Sequence, residues 1–163
     1  MSVLPILRWP DERLATSCDP VGEDDLRGLV RDMFDTLYAA NGRGLAAPQV
    51  GVMRRLFVMD CGWKDGEATP EVFADPVITV REKKLSVMDE GCLSIPGLSV
   101  PVERPVAVTL AWRDEMGDMH MRDFDGFEAR CIQHEIDHLD GIVTLDRVDA
   151  EMRAELLAEY ARA

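Results

Sequence analysis

The sequence predicts an α+β fold in which antiparallel or mixed β-sheets wrap around a central metal-binding helix. Apolar residues follow helical spacing near both ends of the chain, stretches of strand-like sequence lie between them, and a helix with two histidines follows late in the chain. No repeat or linker-like composition divides the 163 residues, so we expect one domain over 1–163.

The N-terminal part predicts an extended arm and one strong helix. Residues 4–14 read as an extended segment followed by a short helical turn. An amphipathic helix is predicted over 24–40, because its apolar residues recur at i, i+3, i+4 and i+7. These residues are Leu26, Leu29, Val30, Met33, Phe34, Leu37 and Tyr38.

The middle of the chain predicts strands, and its end predicts a short helix. Residues 55–60, 77–81 and 106–112 have strand-like composition, and the turn sequence at 114–117 leads into a further strand near 118–124. A weaker C-terminal helix is predicted over 149–161.

The metal-binding helix is predicted over 126–140. Asp125 and Glu128 have the spacing of a capping box, and Gly141 stands where a helix C-terminus favours a residue with positive φ. One stripe of this helix, which we expect to face the interior, consists of Phe127, Cys131, His134 and His138.

Composition excludes several functions. The net charge of −13, from 18 basic and 31 acidic residues, would repel nucleic-acid backbones and anionic membranes. The four cysteines are scattered without a CxxC pair, and the chain has no leader-like sequence and no long apolar run. We therefore expect a cytoplasmic monomer that binds neither nucleic acid nor membrane directly.

The segment His134-Glu135-Ile136-Asp137-His138 is the clearest chemical signal. Two histidines four residues apart on a helix bring their imidazoles to one face at metal-binding distance, with a glutamate beside them. A catalytic metal needs a third protein ligand and an open position for water.

The chain offers three sources for that third ligand. The extended protease pattern with a third histidine has Gly141 in place, but Thr144 stands where the histidine would be, which excludes that class. A downstream Glu155 or Glu159 would make the chain a zinc endopeptidase. The remaining candidate is Cys92, in a loop after a strand-like stretch, whose thiolate would complete a Cys-His-His site.

Three separated motifs together resemble the peptide deformylase family. They are Gly-Arg-Gly-Leu-Ala-Ala-Pro-Gln at 42–49, Glu-Gly-Cys-Leu-Ser at 90–94 and Gln-His-Glu-Ile-Asp-His at 133–138. The resemblance runs over nearly the whole chain. It implies a metal-dependent hydrolase that removes the formyl group from the N-terminal formyl-methionine of new polypeptides, with Fe(II), or Zn(II), Ni(II) or Co(II) as substitutes.

The resemblance also assigns site residues. Glu135 is predicted to move the proton of the attacking water, and the Gln49 side chain and the Leu93 backbone N–H are predicted to stabilise the oxyanion. The predicted metal ligands are Cys92, His134 and His138. The predicted substrate-binding residues are Arg43, Gly44, Leu45, Glu90, Gly91 and Cys131.

Arg43 departs from the apolar residue that the family generally carries in the wall of the methionine pocket. This departure keeps open a second hypothesis, a deformylase-like hydrolase with altered substrate preference. A zinc endopeptidase and a non-catalytic metal-binding module are two further hypotheses. The expected partners are N-formyl-methionyl nascent polypeptides.

Overall fold

A computed structural model describes residues 2–162 and contains three α-helices and seven β-strands within that range. The helices are α1 (Arg27–Ala39), α2 (Gly126–Leu139) and α3 (Ala150–Arg162). The strands are β1 (Gly44–Ala46), β2 (Leu56–Met59), β3 (Glu71–Arg81), β4 (Leu85–Cys92), β5 (Ile95–Pro105), β6 (Ala107–Arg113) and β7 (Met119–Asp125). None of the helices described is long and apolar enough to span a bilayer.

Five strands form one antiparallel sheet in the order β1-β2-β3-β6-β7. Val58 of β2 pairs with Leu45 on one side and with Val72 on the other, and Ala111 of β6 lies between Val77 and Met121. The predicted strands at 55–60, 77–81, 106–112 and 118–124 are all part of this sheet. Its pairing is antiparallel throughout.

The strands β4 and β5 form a separate antiparallel hairpin. The sequence placed Cys92 in a loop, but it is the last residue of β4 and pairs with Ile95. Gly91 and the acidic residues before it are poor strand formers, and pairing with β5 overrides that preference. The register shifts between Glu90 and Cys92, next to the turn that joins the two strands.

Helix α2 lies between the sheet and the hairpin, which confirms the prediction of β-sheets around a central helix. It contacts β1, β2, β6 and β7 of the sheet and also β5 of the hairpin. Its apolar residues Ile132, Ile136 and Leu139 join Phe57 and Phe73 of the sheet in one buried cluster. Polar side chains of this helix are therefore held inside the protein, which is where a metal site with restricted solvent can form.

The other two helices cover the outside of this core. Helix α1 packs against β1 and β2, and α3 packs against β5. Helix α1 begins at Arg27 and not at residue 24, because the Asp25 side chain accepts a hydrogen bond from the Arg27 backbone N–H and holds a turn there. Helix α3 begins one residue later than predicted, at Ala150.

The predicted capping box of α2 is wrong. Asp125 is the N-cap residue, but its side chain makes no capping hydrogen bond. The C-terminal prediction is confirmed: Gly141 has φ +74°, and a Cβ atom there would lie 2.8 Å from the Ala15 carbonyl carbon. Phe127 is also not interior, since it is 47% exposed.

Candidate metal centre

The fold brings Cys92 at the end of β4 against His134 and His138 on α2. One thiolate and two imidazole ligand atoms lie within 4.8 Å of one another, and Cys92 Sγ is 3.4 Å from His138 Nε2. The two imidazole centroids are 5.0 Å apart, as expected for residues one helical turn apart. In the part of the chain that the structure describes, this trio is the group close enough to share one metal ion.

The donor atoms of this trio fit a divalent metal. Glu90 accepts a hydrogen bond from His134 Nδ1 at 2.9 Å, which leaves Nε2 of that ring as the ligand atom. His138 presents Nε2 to Cys92, while its buried Nδ1 has no hydrogen-bond partner. Sulfur and imidazole donors suit zinc and iron. The alternative ligands Glu155 and Glu159 are exposed on α3 and lie outside this group, which removes the basis of the endopeptidase hypothesis.

Electrostatics favour the ligand form of the cysteine. Burial raises the pKa of Cys92, but the His138 charge and hydrogen bonds with both histidines outweigh burial and lower the pKa well below its ordinary value. Burial lowers the pKa of His134, and the neighbouring Glu135, Cys92 and Glu90 raise it above its ordinary value overall. A thiolate beside imidazoles is the state that binds a metal cation.

Glu90 is the centre of a buried polar network under the site. It accepts hydrogen bonds from Arg104 at 2.7 and 2.9 Å and from Arg130 at 2.7 Å, besides the one from His134. Arg104 also donates to Asp137 at 2.9 Å. Burial raises the pKa of Glu90, and its bonds to His134 and Arg104 reverse this and lower the pKa to about 2. The network therefore holds a carboxylate against His134.

These supporting residues could not be found from the sequence motifs. Arg104 and Arg130 lie outside the three motifs, and the sequence predicted no role for them. They are 14 and 40 residues from Glu90, so no local spacing pattern links them to it. The one indication in the sequence was that each arginine stands among apolar residues expected to be buried. Because arginine is rarely fully buried without a partner, such a position suggests a buried carboxylate nearby.

Glu135 lies beside the three ligands and is 4% exposed. Its Oε1 atom is buried without a hydrogen-bond partner. The Gly44 backbone runs against it: a Cβ atom on Gly44 would lie 2.6 Å from Glu135 Oε2 and 2.7 Å from Cys131 Sγ. Burial raises the pKa of Glu135 above its ordinary value, although the charges of His134 and His138 oppose the rise.

Gln49 reaches the site from the turn after β1. Its Oε1 accepts a hydrogen bond from the Ala46 backbone N–H at 2.9 Å, and its Nε2 donates to Ser94 Oγ at 3.0 Å. The same Nε2 is 3.7 Å from Cys92 Sγ. These bonds orient the amide so that Nε2 faces both Ser94 and the ligand cysteine.

A cavity of about 520 Å³ opens over these residues. Most of the predicted site residues line it; these are Arg43, Gly44, Gln49, Glu90, Gly91, Cys92, Leu93, Cys131, His134 and Glu135. His138 is fully buried and is not one of the residues that line the cavity. The side chain of Leu45 is fully buried in the core beside α1 and does not line the cavity, so its predicted contact with substrate can come only from its backbone.

Comparison with known proteins gives a consistent result. The sequence model of the polypeptide deformylase family matches residues 3–154. A peptide deformylase of Afipia carboxidovorans is 41% identical, over 100% of this chain and 96% of the relative, and one of Prochlorococcus marinus is 44% identical, over 91% and 74%.

Solved structures of peptide deformylases are also similar to this chain. A peptide deformylase of Synechococcus elongatus in complex with actinonin has a TM-score of 0.92 and 40% identity, covering 99% of this chain and 89% of that protein. A peptide deformylase of Legionella pneumophila has a TM-score of 0.91 and 37% identity, covering 99% and 95%.

Proposed function

Because this chain belongs to the peptide deformylase family, we propose that its buried Cys-His-His site hydrolyses the N-terminal formyl group of formyl-methionyl polypeptides and releases formate. The observation that carries the assignment of the site is that the ligand atoms of Cys92, His134 and His138 meet, and that Cys92 and His134 line one cavity together with Glu135. The ligands come from two distant elements, β4 and α2, which the fold brings together.

We assign Cys92 Sγ and Nε2 of both histidines as the metal ligands. A divalent metal held there would supply a polarised water whose pKa falls toward about 7. We propose Fe(II) as the native ion by likeness to the family, with Zn(II), Ni(II) or Co(II) as substitutes. The role of Glu90 is to fix the ring of His134 through its Nδ1.

Glu135 serves as the proton carrier. Its carboxylate is buried, has an unpartnered oxygen and lies next to the ligands, so it can take a proton from the attacking water and return it to the departing amine. Because the pKa of Glu135 is raised, it lies closer to neutral pH than that of an ordinary glutamate. This suits a group that must both accept and release a proton. Such a role is typically worth about 10²–10⁴ in rate.

Gln49 Nε2 and the Leu93 backbone N–H are assigned to the oxyanion. Attack on the formyl carbon places a negative charge on its oxygen, and preoriented donors stabilise that charge. The Gln49 amide is oriented by Ala46 and Ser94, so it needs little reorganisation during the reaction. Removal of one such donor typically costs about 2.7–4 kcal/mol of transition-state stabilisation.

The cellular setting that we propose is a cytoplasmic monomer acting on nascent chains. The net charge of −13 disfavours direct binding to ribosomal RNA, so substrates would be met by diffusion. Gel filtration with light scattering, together with a pull-down of ribosomes, tests both statements. A stable dimer or salt-sensitive ribosome binding would contradict them.

The assay for the reaction is formate release from a formyl-methionyl peptide by protein loaded with Fe(II) or Ni(II) under reducing conditions. We expect formate from the loaded protein and inhibition by actinonin, which the Synechococcus relative binds. No formate from protein containing one metal ion per chain would overturn the proposal.

Glu135→Gln separates proton transfer from metal binding. We expect a loss of about 10²–10⁴ in kcat with unchanged metal content, because a glutamine cannot take up the proton. Glu128→Gln, on an exposed residue of the same helix, is the matched control. Equal activity of the Glu135→Gln variant and this control would remove Glu135 from the mechanism.

A further inference from the structure

The mouth of the cavity carries a cation that forms no ion pair in the part of the chain that the structure describes. Arg43 lines the cavity, and its Nε atom is buried without a hydrogen-bond partner. Its guanidinium carbon lies 5.1 Å from the centroid of the Phe127 ring. Within residues 2–162 no carboxylate forms an ion pair with Arg43, although most arginines of this acidic chain have one.

The backbone of this arginine is held firmly while its head group is left free. The Arg43 carbonyl accepts a hydrogen bond from Asp60 N at 2.8 Å, and the preceding Gly42 carbonyl accepts one from Trp63 Nε1 at 2.8 Å. The guanidinium lies over the Phe127 ring, a cation–π contact that uses none of its N–H groups. These donors are available to a ligand in the cavity.

The charges around the mouth favour a negative ligand. The lining contains three cations, Arg43, the exposed Lys64 and Arg130, and its exposed carboxylate is Asp89. Glu90 is already neutralised by Arg104 and Arg130. Apart from the metal site with Cys92 and Glu135, the unpaired charges of the lining are therefore two cations, Arg43 and Lys64, against one carboxylate, in a chain whose net charge is −13.

The position of Arg43 relative to the reaction centre limits where that ligand can be. Arg43 precedes Gly44, whose backbone lies against the Glu135 carboxylate. Consecutive Cα atoms are about 3.8 Å apart, and an extended peptide advances about 3.3–3.6 Å per residue. A group that reaches the guanidinium therefore belongs to the N-terminal end of the substrate, within about two residues of the formyl-methionine.

From these observations we infer that Arg43 selects formyl-methionyl peptides that carry a carboxylate in the two positions after the methionine, through hydrogen bonds from its guanidinium. This inference rests on the proposed function and specifies its substrate class. The carboxylate can be an Asp or Glu side chain or, in a short peptide, the free C-terminus. Charge-assisted pairs of arginine with carboxylate are strong and directional.

The test compares kcat/KM for peptide pairs that differ only in that charge. The pairs are formyl-Met-Asp-Ala-amide with its Asn counterpart, formyl-Met-Ala-Asp-amide with its Asn counterpart, and formyl-Met-Ala as free acid and as amide. The first two pairs report a side-chain carboxylate and the third a terminal one. We expect an acid preference of about tenfold in at least one pair, the size of one charged hydrogen bond.

Variants assign the preference to Arg43. In Arg43→Met, which keeps an unbranched side chain, the acid-to-neutral ratio should fall to about one, and Arg43→Lys should retain part of it. Arg31→Met is the control, since it removes the same charge from an exposed residue of α1 that does not line the cavity. This control should keep the ratio of the parent protein.

The salt dependence of the acid preference tests the inference in the parent protein, without a variant. Between about 0.01 M and about 1 M salt, the screening length falls from roughly 30 Å to roughly 3 Å, so the acid preference of the parent should shrink. A ratio near one in the parent, an unchanged ratio in Arg43→Met or an equal loss in Arg31→Met would each overturn the inference. Formate release from every peptide at equal rates would sink the inference but leave the proposed function intact, whereas no release from any peptide would sink both.

Discussion

At the scale of single residues, Glu90 connects the metal ligands to the rest of the protein. One carboxylate accepts from two arginines and from His134, and all four side chains are largely buried. Burying charges is costly, so such a network is stable only when each charge has its partners. The same contacts that orient His134 thus also determine whether the hairpin β4–β5 stays packed on α2.

Replacing Glu90 by glutamine should therefore affect both folding and metal binding. We expect the free energy of unfolding to fall by about 3 kcal/mol, because Arg130 would remain buried without a carboxylate partner and Arg104 would keep only Asp137. Metal affinity should fall about 10–100-fold as the His134 ring loses its carboxylate partner. Urea unfolding and metal titration measure the two effects. Glu103→Gln, on an exposed residue of β5, is the control, and equal losses in both variants would contradict the prediction.

Gly44 gives a second prediction at this scale. Alanine at this position would place a methyl group 2.6 Å from Glu135 Oε2, so either the carboxylate or β1 must move. A displacement of about 1 Å in a catalytic group can cost about 10² in rate. We expect a loss of that order in kcat/KM with the fold retained. Gly28→Ala, where no atom lies within 4 Å of the added methyl, should keep the activity of the parent.

At the scale of elements, the loop after β2 braces the cavity mouth. Asp60 is fully buried and accepts hydrogen bonds from the Tyr38 hydroxyl at 2.6 Å and from backbone N–H groups of Gly62, Trp63 and Thr69. Burial raises the pKa of Asp60, but these hydrogen bonds outweigh burial and lower it below its ordinary value. One carboxylate thereby ties α1, β2 and this loop together.

Asp60→Asn should destabilise the protein in a pH-dependent way. A pKa that is lower in the folded state means that the carboxylate stabilises the fold above its unfolded pKa of about 3.9, and that this stabilisation is lost as pH falls through the folded value. We expect a loss of about 1–3 kcal/mol near pH 7, measured by urea unfolding, and a smaller difference from the parent below about pH 4. Asp65→Asn, exposed on the same loop, is the control; a pH-independent difference would contradict this account.

At the scale of the whole molecule, the metal ligands join two layers of the fold. Cys92 belongs to the hairpin and both histidines to α2, so an ion bound to all three links the hairpin to the core. A ligand that binds only the folded state stabilises it by an amount set by its concentration relative to Kd.

Metal loading should therefore raise the unfolding temperature of the whole protein. At a free metal concentration of about 100 Kd we expect about 2.7 kcal/mol of added stability, measured by calorimetry with and without chelator. Cys92→Ala should lose most of this gain, whereas His120→Ala, on an exposed histidine of β7, should keep it. A gain of equal size in Cys92→Ala would show that the ion acts elsewhere.

The sequence by itself determined the fold class, the family and the nature of the chemistry. Helical spacing located α1 and α2 closely, and the two histidines one turn apart had to share a face because the helix repeat requires it. Cys92 and Gln49 could be named as partners from the motifs, although they are 42 or more residues from His134.

Only the tertiary structure decided what supports and surrounds that site. The pairing of Glu90 with Arg104 and Arg130, the end of β4 at Cys92 and the core position of Leu45 depend on contacts between distant parts of the chain. The arginine network and the closeness of Gly44 to Glu135 arise where β1, β4 and α2 converge. The same is true of the Arg43 guanidinium, which forms no ion pair among residues 2–162. Sequence patterns record the periodicity of each element, but not which elements pack together, and that packing fixes the charges around the cavity.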